Sequence, residues 1–426
     1  MLSQSHTSKA LITILSLCIL TFKSVLPAAT QPIFSIRQPL TEIIQKSIFN
    51  SHKKVVSWEI NDITWTQNGK YLAATVVDFN FRKEIVSASV LIWPQDSIIK
   101  LIQTPKQIVR PLQPLYLVNS DIINVLAWRD NWRNKWDTSY ILATGSNSGN
   151  VNLFKIQDEN TVKNLGELHV DGTINSMVWN NVGEYLIIGA DSNDVGSRIF
   201  GLIFILKLNE ESEHPLELVA CYKFDNGGIT INGISCCPFD NTIAFSGEDL
   251  SVYRLVNWID QSPNKASYLS IYQPNQTVSQ PNFVPRSALF SIIKWNPPSL
   301  ILTPVIVIAQ VAKQDPCTIE LNVLNLVHEI EASQIIHSPT PIKNLSVEWL
   351  NPETVLIVHD NYEISGKSVP PKYRHKASGS NVYTFNIVNK ALTRLDNLPD
   401  IYISCAAIQQ MIAFGTANGL VFVKNI

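Results

Sequence analysis

The strongest constraint on how this chain folds is a short strand-like phrase that returns along its length. Ile60-Asn61-Asp62-Ile63-Thr64-Trp65 recurs as Ile123-Asn124-Val125-Leu126-Ala127-Trp128 and as Ile174-Asn175-Ser176-Met177-Val178-Trp179. It returns as Ile231-Asn232-Gly233-Ile234-Ser235-Cys236, with Cys in the Trp slot. Weaker copies follow at Phe290 to Trp295, Val347 to Trp349 and Ile403 to Cys405. With residues 65, 128, 179, 236, 295, 349 and 405 taken as equivalent, the copies lie 51 to 63 residues apart. Self-similarity at that period marks a chain of units that cannot each bury an apolar face alone, and that therefore stack as a solenoid or a propeller.

Each copy continues alike. Gln67-Asn68-Gly69 leads into Tyr71-Leu72-Ala73-Ala74, and Asn181-Val182-Gly183-Glu184 leads into Tyr185-Leu186-Ile187-Ile188-Gly189. The Gly supplies the positive φ of a tight hairpin between β-branched and aromatic runs. A third strand follows, as in Ser89 to Trp93, Gly149 to Phe154, Asn381 to Phe385 and Gly419 to Val423. Short strands with turn chemistry between them, and no sustained helical periodicity beyond the N-terminal run, predict an all-β fold.

The apolar-x-x-apolar-x-Trp strand, the polar Gly turn, the Leu-Ala-like second strand and the aromatic end of the third strand resemble WD-repeats. The resemblance covers about residues 58–426. It implies a seven-bladed β-propeller of four-stranded antiparallel blades, with the ring closed by an N-terminal strand. Val55-Val56-Ser57-Trp58 is the expected donor of that strand, which would seal an exposed sheet edge. The sequence also departs from the family. No repeat keeps a Gly-His pair, and Trp-Asp is replaced by Trp93-Pro94, Phe154-Lys155 and Phe385-Asn386. The Asp-His-Ser-Trp network that rigidifies many blades is therefore not expected, and packing between blades has to carry more of the stability.

Apolar residues make up 45% of the chain and charged ones 16%, enough for a large core. Lys and Arg number 33 against 35 Asp and Glu, so there is no overall electrostatic footprint for nucleic acid. At the N-terminus, Lys9 precedes an apolar run from Ala10 to Phe22, followed by Pro27 and Ala28-Ala29. That run is shorter than the roughly 20 residues a spanning helix needs and has the layout of an export signal. Residues 1–29 are therefore expected to be a signal peptide, 30–57 a lead into the ring, and 58–426 the propeller. The expected localisation is exported, periplasmic or secreted, with a cytoplasmic or membrane-anchored protein as the alternative; a membrane enters only if the segment is uncleaved. Cys18 would leave with the signal, and five unevenly spaced cysteines then remain, a poor disulfide or zinc framework.

Candidate contact residues come from the repeat. Apolar residues five and two places before the Trp cannot both face inward at a period of two, so a bulge is expected between them. It would put the residue four before the Trp on the upper rim of the channel, where similar propellers often meet partners: Asn61, Asn124, Asn175, Asn232 and Ser291, then Leu345 and Ile401. The functional reading is an amide-lined rim that grips a peptide; the plainer one is that each Asn satisfies its own turn. Two insertions add loop candidates: Trp132, Arg133 and Trp136, whose composition is that of an interface hot spot, and the basic cluster Lys372, Arg374 and His375.

Propeller hydrolases place carboxylates or a metal at the channel mouth. Here the rim is amide or apolar, the His residues are scattered, and no phosphate loop, zinc spacing or nucleophile elbow occurs. The sequence is thus read as a non-catalytic, monomeric scaffold for a protein or peptide, with no catalytic residue, metal or cofactor and no nucleic-acid partner; the alternative is an exported propeller hydrolase or lactonase.

Overall fold

The computed structural model describes residues 41–42, 57–79, 85–103, 112–117, 121–129, 140–157, 161–192, 200–224, 230–239, 242–247, 252–256, 258, 267–272, 288–297, 304–325, 330–364, 375–398, 402–408, 411–416 and 421–425. They belong to one compact unit, 39–425, and form an all-β propeller of small antiparallel sheets. Six sheets are four-stranded and one is five-stranded. The expected signal, the Trp132, Arg133 and Trp136 insertion, and Lys372 and Arg374 lie outside the described residues.

The five-stranded sheet is the first, and its extra strand is a break in the repeat phrase. Ser57–Glu59 and Ile63–Trp65 both pair with Tyr71–Phe79, so they are two halves of one innermost strand interrupted at Ile60 to Asp62. Ile85–Pro94 and Leu112–Leu117 complete that sheet. Each later sheet opens on a repeat phrase as its innermost strand: Ile123–Trp128, Thr173–Trp179, Ile231–Cys236, Ala288–Trp295, Leu345–Asn351 and Tyr402–Ile408. The connection after residue 258 contributes one outer strand, Ser267–Tyr272.

Burial on both faces explains the composition of the second strands. A sheet between two neighbours has no solvent face, so its central strands are apolar at consecutive positions. Leu186, Ile187 and Ile188 are fully buried, as are Ile306, Val307, Ile308 and Ala309. The cores accordingly lie between sheets. Val151, Leu153 and Ile174, Met177 pack the second sheet against the third, and Val305, Val307 and Val347, Trp349 pack the fifth against the sixth. Ile60, Trp65 and Trp93 of the first sheet share a core with Ala406, Met411 and Ala413 of the last. Close approach leaves no room for a Cβ at Gly149, where φ is +87° and an added carbon would sit 2.0 Å from the Val170 carbonyl oxygen.

Three expectations need correction. Ser57 and Trp58, of the segment expected to donate the outer strand of the last sheet, belong to the first sheet instead. The N-terminal strand beside Val421–Asn425 is Thr41–Glu42, with Thr41 opposite Val423 and Glu42 opposite Phe422. The register of Tyr402–Ile408 places Ala407 opposite Ile412, as Trp179 lies opposite Leu186. Ala407 therefore fills the Trp slot of the last repeat and Cys405 stands two places before it, a shift hidden because no Trp marks this copy. Finally, Gln95–Gln103 is a helix (α1) that buries Ile98 against the first and last sheets; its single amphipathic stretch is too short to register as sustained periodicity.

The innermost strands are also tied to one another by their tryptophans. The Trp128 indole N–H donates to Thr64 O (3.3 Å), Trp179 to Ala127 O (3.1 Å) and Trp349 to Lys294 O (3.3 Å). Each acceptor is the residue just before the Trp slot of the preceding sheet. Trp65 and Trp295 lack this bond, their buried Nε1 atoms having no partner. Trp179→Phe should therefore cost about 1 kcal/mol in urea unfolding, the net worth of a buried hydrogen bond. Trp65→Phe should cost measurably less, and equal losses would argue against the indole bond as the cause.

Candidate functional site

The innermost strands surround two cavities that meet end to end. The upper, about 310 Å³, is lined by Asn61, Asn124, Asn175 and Asn232 together with Asp62, Ser176, Ser346 and Ser404. The lower, about 250 Å³, is lined by the Trp-bearing ends, including Trp65, Trp128 and Trp179. Thr64, Leu126, Met177, Lys294 and Glu348 border both.

The bulge expected from the sequence has a defined place. Pairing skips one residue at Asn124, Asn175 and Asn232, and at Ile403 in the last repeat. In the fifth sheet the skip falls at Leu289 instead. Ser291 is therefore paired, opposite Gln310, and buried, where it accepts from Gln310 Nε2 (3.0 Å). It is absent from the cavity lining, unlike the four Asn. His375 lies in strand His375–Asn386, paired with Ile364 at the far end of that strand pair.

The Asn side chains do something neither reading anticipated. Asn61 Nδ2 donates to Ile123 O (3.1 Å), Asn124 Nδ2 to Ile174 O (2.9 Å) and Asn175 Nδ2 to Ile231 O (3.4 Å). In each case the acceptor is the residue just before the bulged Asn of the next sheet. Asn124 also donates to Asn147 Oδ1 and Asn175 to Asp191 Oδ2, both at 2.6 Å. Asn232 makes a local contact, accepting from the Thr230 hydroxyl at 3.4 Å.

A second set of rungs runs from the position three before the Trp slot. Asp62 Oδ2 accepts from Leu126 N (2.8 Å), Ser176 Oγ from Ile234 N and Ser346 Oγ from Cys405 N (both 3.0 Å). Ser404 occupies the same slot in the last sheet, but its buried hydroxyl has no partner. The amide that would match it, Ile63 N, donates to Asp62 Oδ1 (2.8 Å).

Sequence reasoning missed the charges at the junction of the two cavities. Lys294 Nζ lies 3.0 Å from Glu348 Oε2. The Glu348 carboxylate holds the Lys294 ammonium above its ordinary pKa. A signal was present: the residue before the Trp slot is Thr64, Ala127, Val178, Ser235 and Ala406 elsewhere, and only two adjacent repeats place opposite charges there. Burial pushes the Cys405 thiol up to about 12, so it stays protonated beside Ser346 Oγ, 3.3 Å away.

Asp62 is less well compensated. Desolvation raises its pKa from 3.8 to about 6, against the backbone N–H of Leu126 and the charge of Lys294, which pull it down. The folded value exceeds the unfolded one, so the folded chain binds the proton more tightly. This group's contribution to stability is present below pH 3.8 and is lost as pH rises through about 6. Asp62→Ser, which places at this slot the residue found at Ser176 and Ser346, should flatten stability between those limits in urea titrations at several pH values. An unchanged slope would remove Asp62 as its source.

Among the described residues no group of three His, Cys, Asp or Glu could hold a metal ion. No helix there is long and apolar enough to cross a membrane. No protein-family profile and no curated protein matches the sequence. Solved structures do resemble the fold. Raptor from Chaetomium thermophilum superposes with a TM-score of 0.53 at 10% identity over 88% of this chain, which spans only 29% of that one. Sqt1 from the same organism, solved bound to the N-terminus of the ribosomal protein L10, superposes with a TM-score of 0.54 at 14% identity, covering 88% of this chain and 98% of that one. At such identities the likeness concerns architecture alone, and it supports the propeller fold.

Proposed function

We propose that this chain is a non-catalytic scaffold that receives a protein segment at the upper mouth of its channel. The observation that carries the reading is the upper cavity: an open space of about 310 Å³ bordered by Asn, Ser and charged side chains from successive sheets, interleaved with apolar ones. Sqt1 is similar in fold and was solved with a protein N-terminus, which favours a peptide as occupant. A hydrolase would need convergent catalytic groups, whereas Glu348 is engaged by Lys294 and Asp62 by two backbone amides.

The architecture underlying this reading is a ring of seven blades closed by Thr41–Glu42. It is supported by the core shared between first and last sheets and by the pairing of Thr41 with Val423. Export is proposed from the apolar run Ala10 to Phe22 and the small residues after it. Sequencing the mature N-terminus tests that, since a chain still beginning at Met1 would contradict cleavage.

Alanine at the Asn positions would break inter-sheet bonds as well as the mouth, so a filling variant is the better probe of binding. Val125 lines the upper cavity at the rung slot yet makes no rung. Val125→Arg should therefore occlude the space, and partners captured by the intact chain should be lost, about tenfold or more in yield, while circular dichroism stays unchanged. Capture of the same partners in undiminished yield by a folded Val125→Arg chain would refute binding at this mouth.

A further inference from the structure

The chemistry of the upper cavity leans toward acceptors, although the Asn232 amide nitrogen, whose oxygen accepts from Thr230, and the Ser404 hydroxyl can donate. Asn61, Asn124 and Asn175 each commit the amide nitrogen to a carbonyl of the next sheet, and a backbone carbonyl can only accept, which fixes the orientation of each amide. Asn124 and Asn175 spend their nitrogen twice, on Asn147 and Asp191 as well. What these residues retain for the cavity is the amide oxygen, an acceptor. The Asp62 carboxylate has accepted one backbone N–H on each oxygen and keeps further lone pairs. The Ser404 hydroxyl, more than nine-tenths buried and bordering the same cavity, has no partner.

Charge points the same way. Asp62, Glu348 and Lys294 are the ionisable side chains lining the upper cavity apart from the Cys405 thiol, and Lys294 is paired with Glu348. The carboxylate left over is Asp62, drawn out of water with no cation of its own in contact. A buried charge in that condition is costly until a counter-charge arrives. A cavity that offers acceptors, an unneutralised carboxylate and few donors is complementary to a group rich in N–H donors and positively charged.

We propose that the upper cavity is a receptor for a cationic group of a peptide, a Lys or Arg side chain or a free chain N-terminus, held by Asp62 with the amide oxygens of Asn61, Asn124 and Asn175 around it. This deepens the scaffold reading and rests on it. Apolar neighbours Ile63, Val125, Leu126 and Met177 would contact the aliphatic part of such a group. Protonation of Asp62, pushed up to about 6, would remove the attraction in mildly acidic solution. The other titratable groups acting there are Lys294, Glu348 and Cys405; Cys405 stays neutral, and the Glu348 carboxylate 3.0 Å away holds the Lys294 ammonium above its ordinary value.

The test is calorimetric titration of the intact chain with acetyl-Gly-Lys-Gly-amide, acetyl-Gly-Arg-Gly-amide and Gly-Gly-Gly-amide, which carry the three cationic sources. Acetyl-Gly-Gln-Gly-amide and acetyl-Gly-Glu-Gly-amide are the neutral and anionic controls. At about pH 7.5 at least one cationic peptide should bind about tenfold or more tightly than both controls, and which one does so identifies the source. That preference should disappear in Asp62→Ser, which keeps the rung to Leu126, and should shrink between about pH 7.5 and pH 5. Equal binding of the neutral or anionic peptide, a preference surviving in Asp62→Ser, or no binding of any cationic peptide below about 10 mM would each overturn the proposal. If the controls bind and Val125→Arg abolishes that binding, the cation inference fails while the scaffold reading stands.

Discussion

Everything in this molecule depends on how one small sheet is fastened to the next. A four-stranded sheet with no solvent face cannot stand alone, and its innermost strand has a free edge of backbone amides and carbonyls turned toward the channel. The chain meets both demands with the same six-residue phrase. Its apolar positions fill the space between sheets, and its polar positions reach across to the neighbour. From the first sheet to the second all three kinds of rung are present: Asn61 to Ile123, Leu126 to Asp62, and Trp128 to Thr64. One or two join the second to the third sheet, the third to the fourth, the fifth to the sixth and the sixth to the last, while between the fourth and fifth Ser235 Oγ accepts from Trp295 N and Ser246 Oγ donates to Ser291 O instead.

This pattern explains how the fold dispenses with the hydrogen-bond network that its repeats lack. The polar ties run between sheets at the channel and not within one sheet at its periphery, and they draw on an Asn, a Ser or Asp, or a Trp of the repeat. Near the lower ends an ion-pair cluster adds another link, with Arg129 of the second sheet's first loop and Lys155 both meeting Glu210 of the third. The junction between last and first sheets is held differently. There Trp65 Nε1 and Ser404 Oγ are buried without partners, and the contact rests on apolar packing around Ile60 and Trp65 and on Thr41–Glu42 beside the last strand.

Much of the fold was legible because the repeat phrase is itself the structural unit. The Trp slots of the first six sheets and the bulges at Asn124, Asn175 and Asn232 follow from spacing and periodicity. The last repeat was misplaced by two residues because Ala407 carries no aromatic marker, and α1 was missed because a nine-residue helix offers only about two and a half turns of pattern. The site was half legible. Spacing brings four Asn to one cavity, but the partner of an amide nitrogen is a residue some fifty or more positions away, a relation no local pattern encodes. The Lys294–Glu348 pair was readable only by comparing one slot across all repeats.

The fastening of sheet to sheet through side-chain rungs is tested most directly by native-state hydrogen exchange at the amides of Leu126, Ile234 and Cys405. These three point to the channel edge, where no strand pairs with them, and donate instead to Asp62, Ser176 and Ser346 of the preceding sheet. The account predicts that they exchange only with global unfolding, as slowly as the central strands. Exchange at the rate of open loop amides would contradict it, since the rungs would then not be formed in solution.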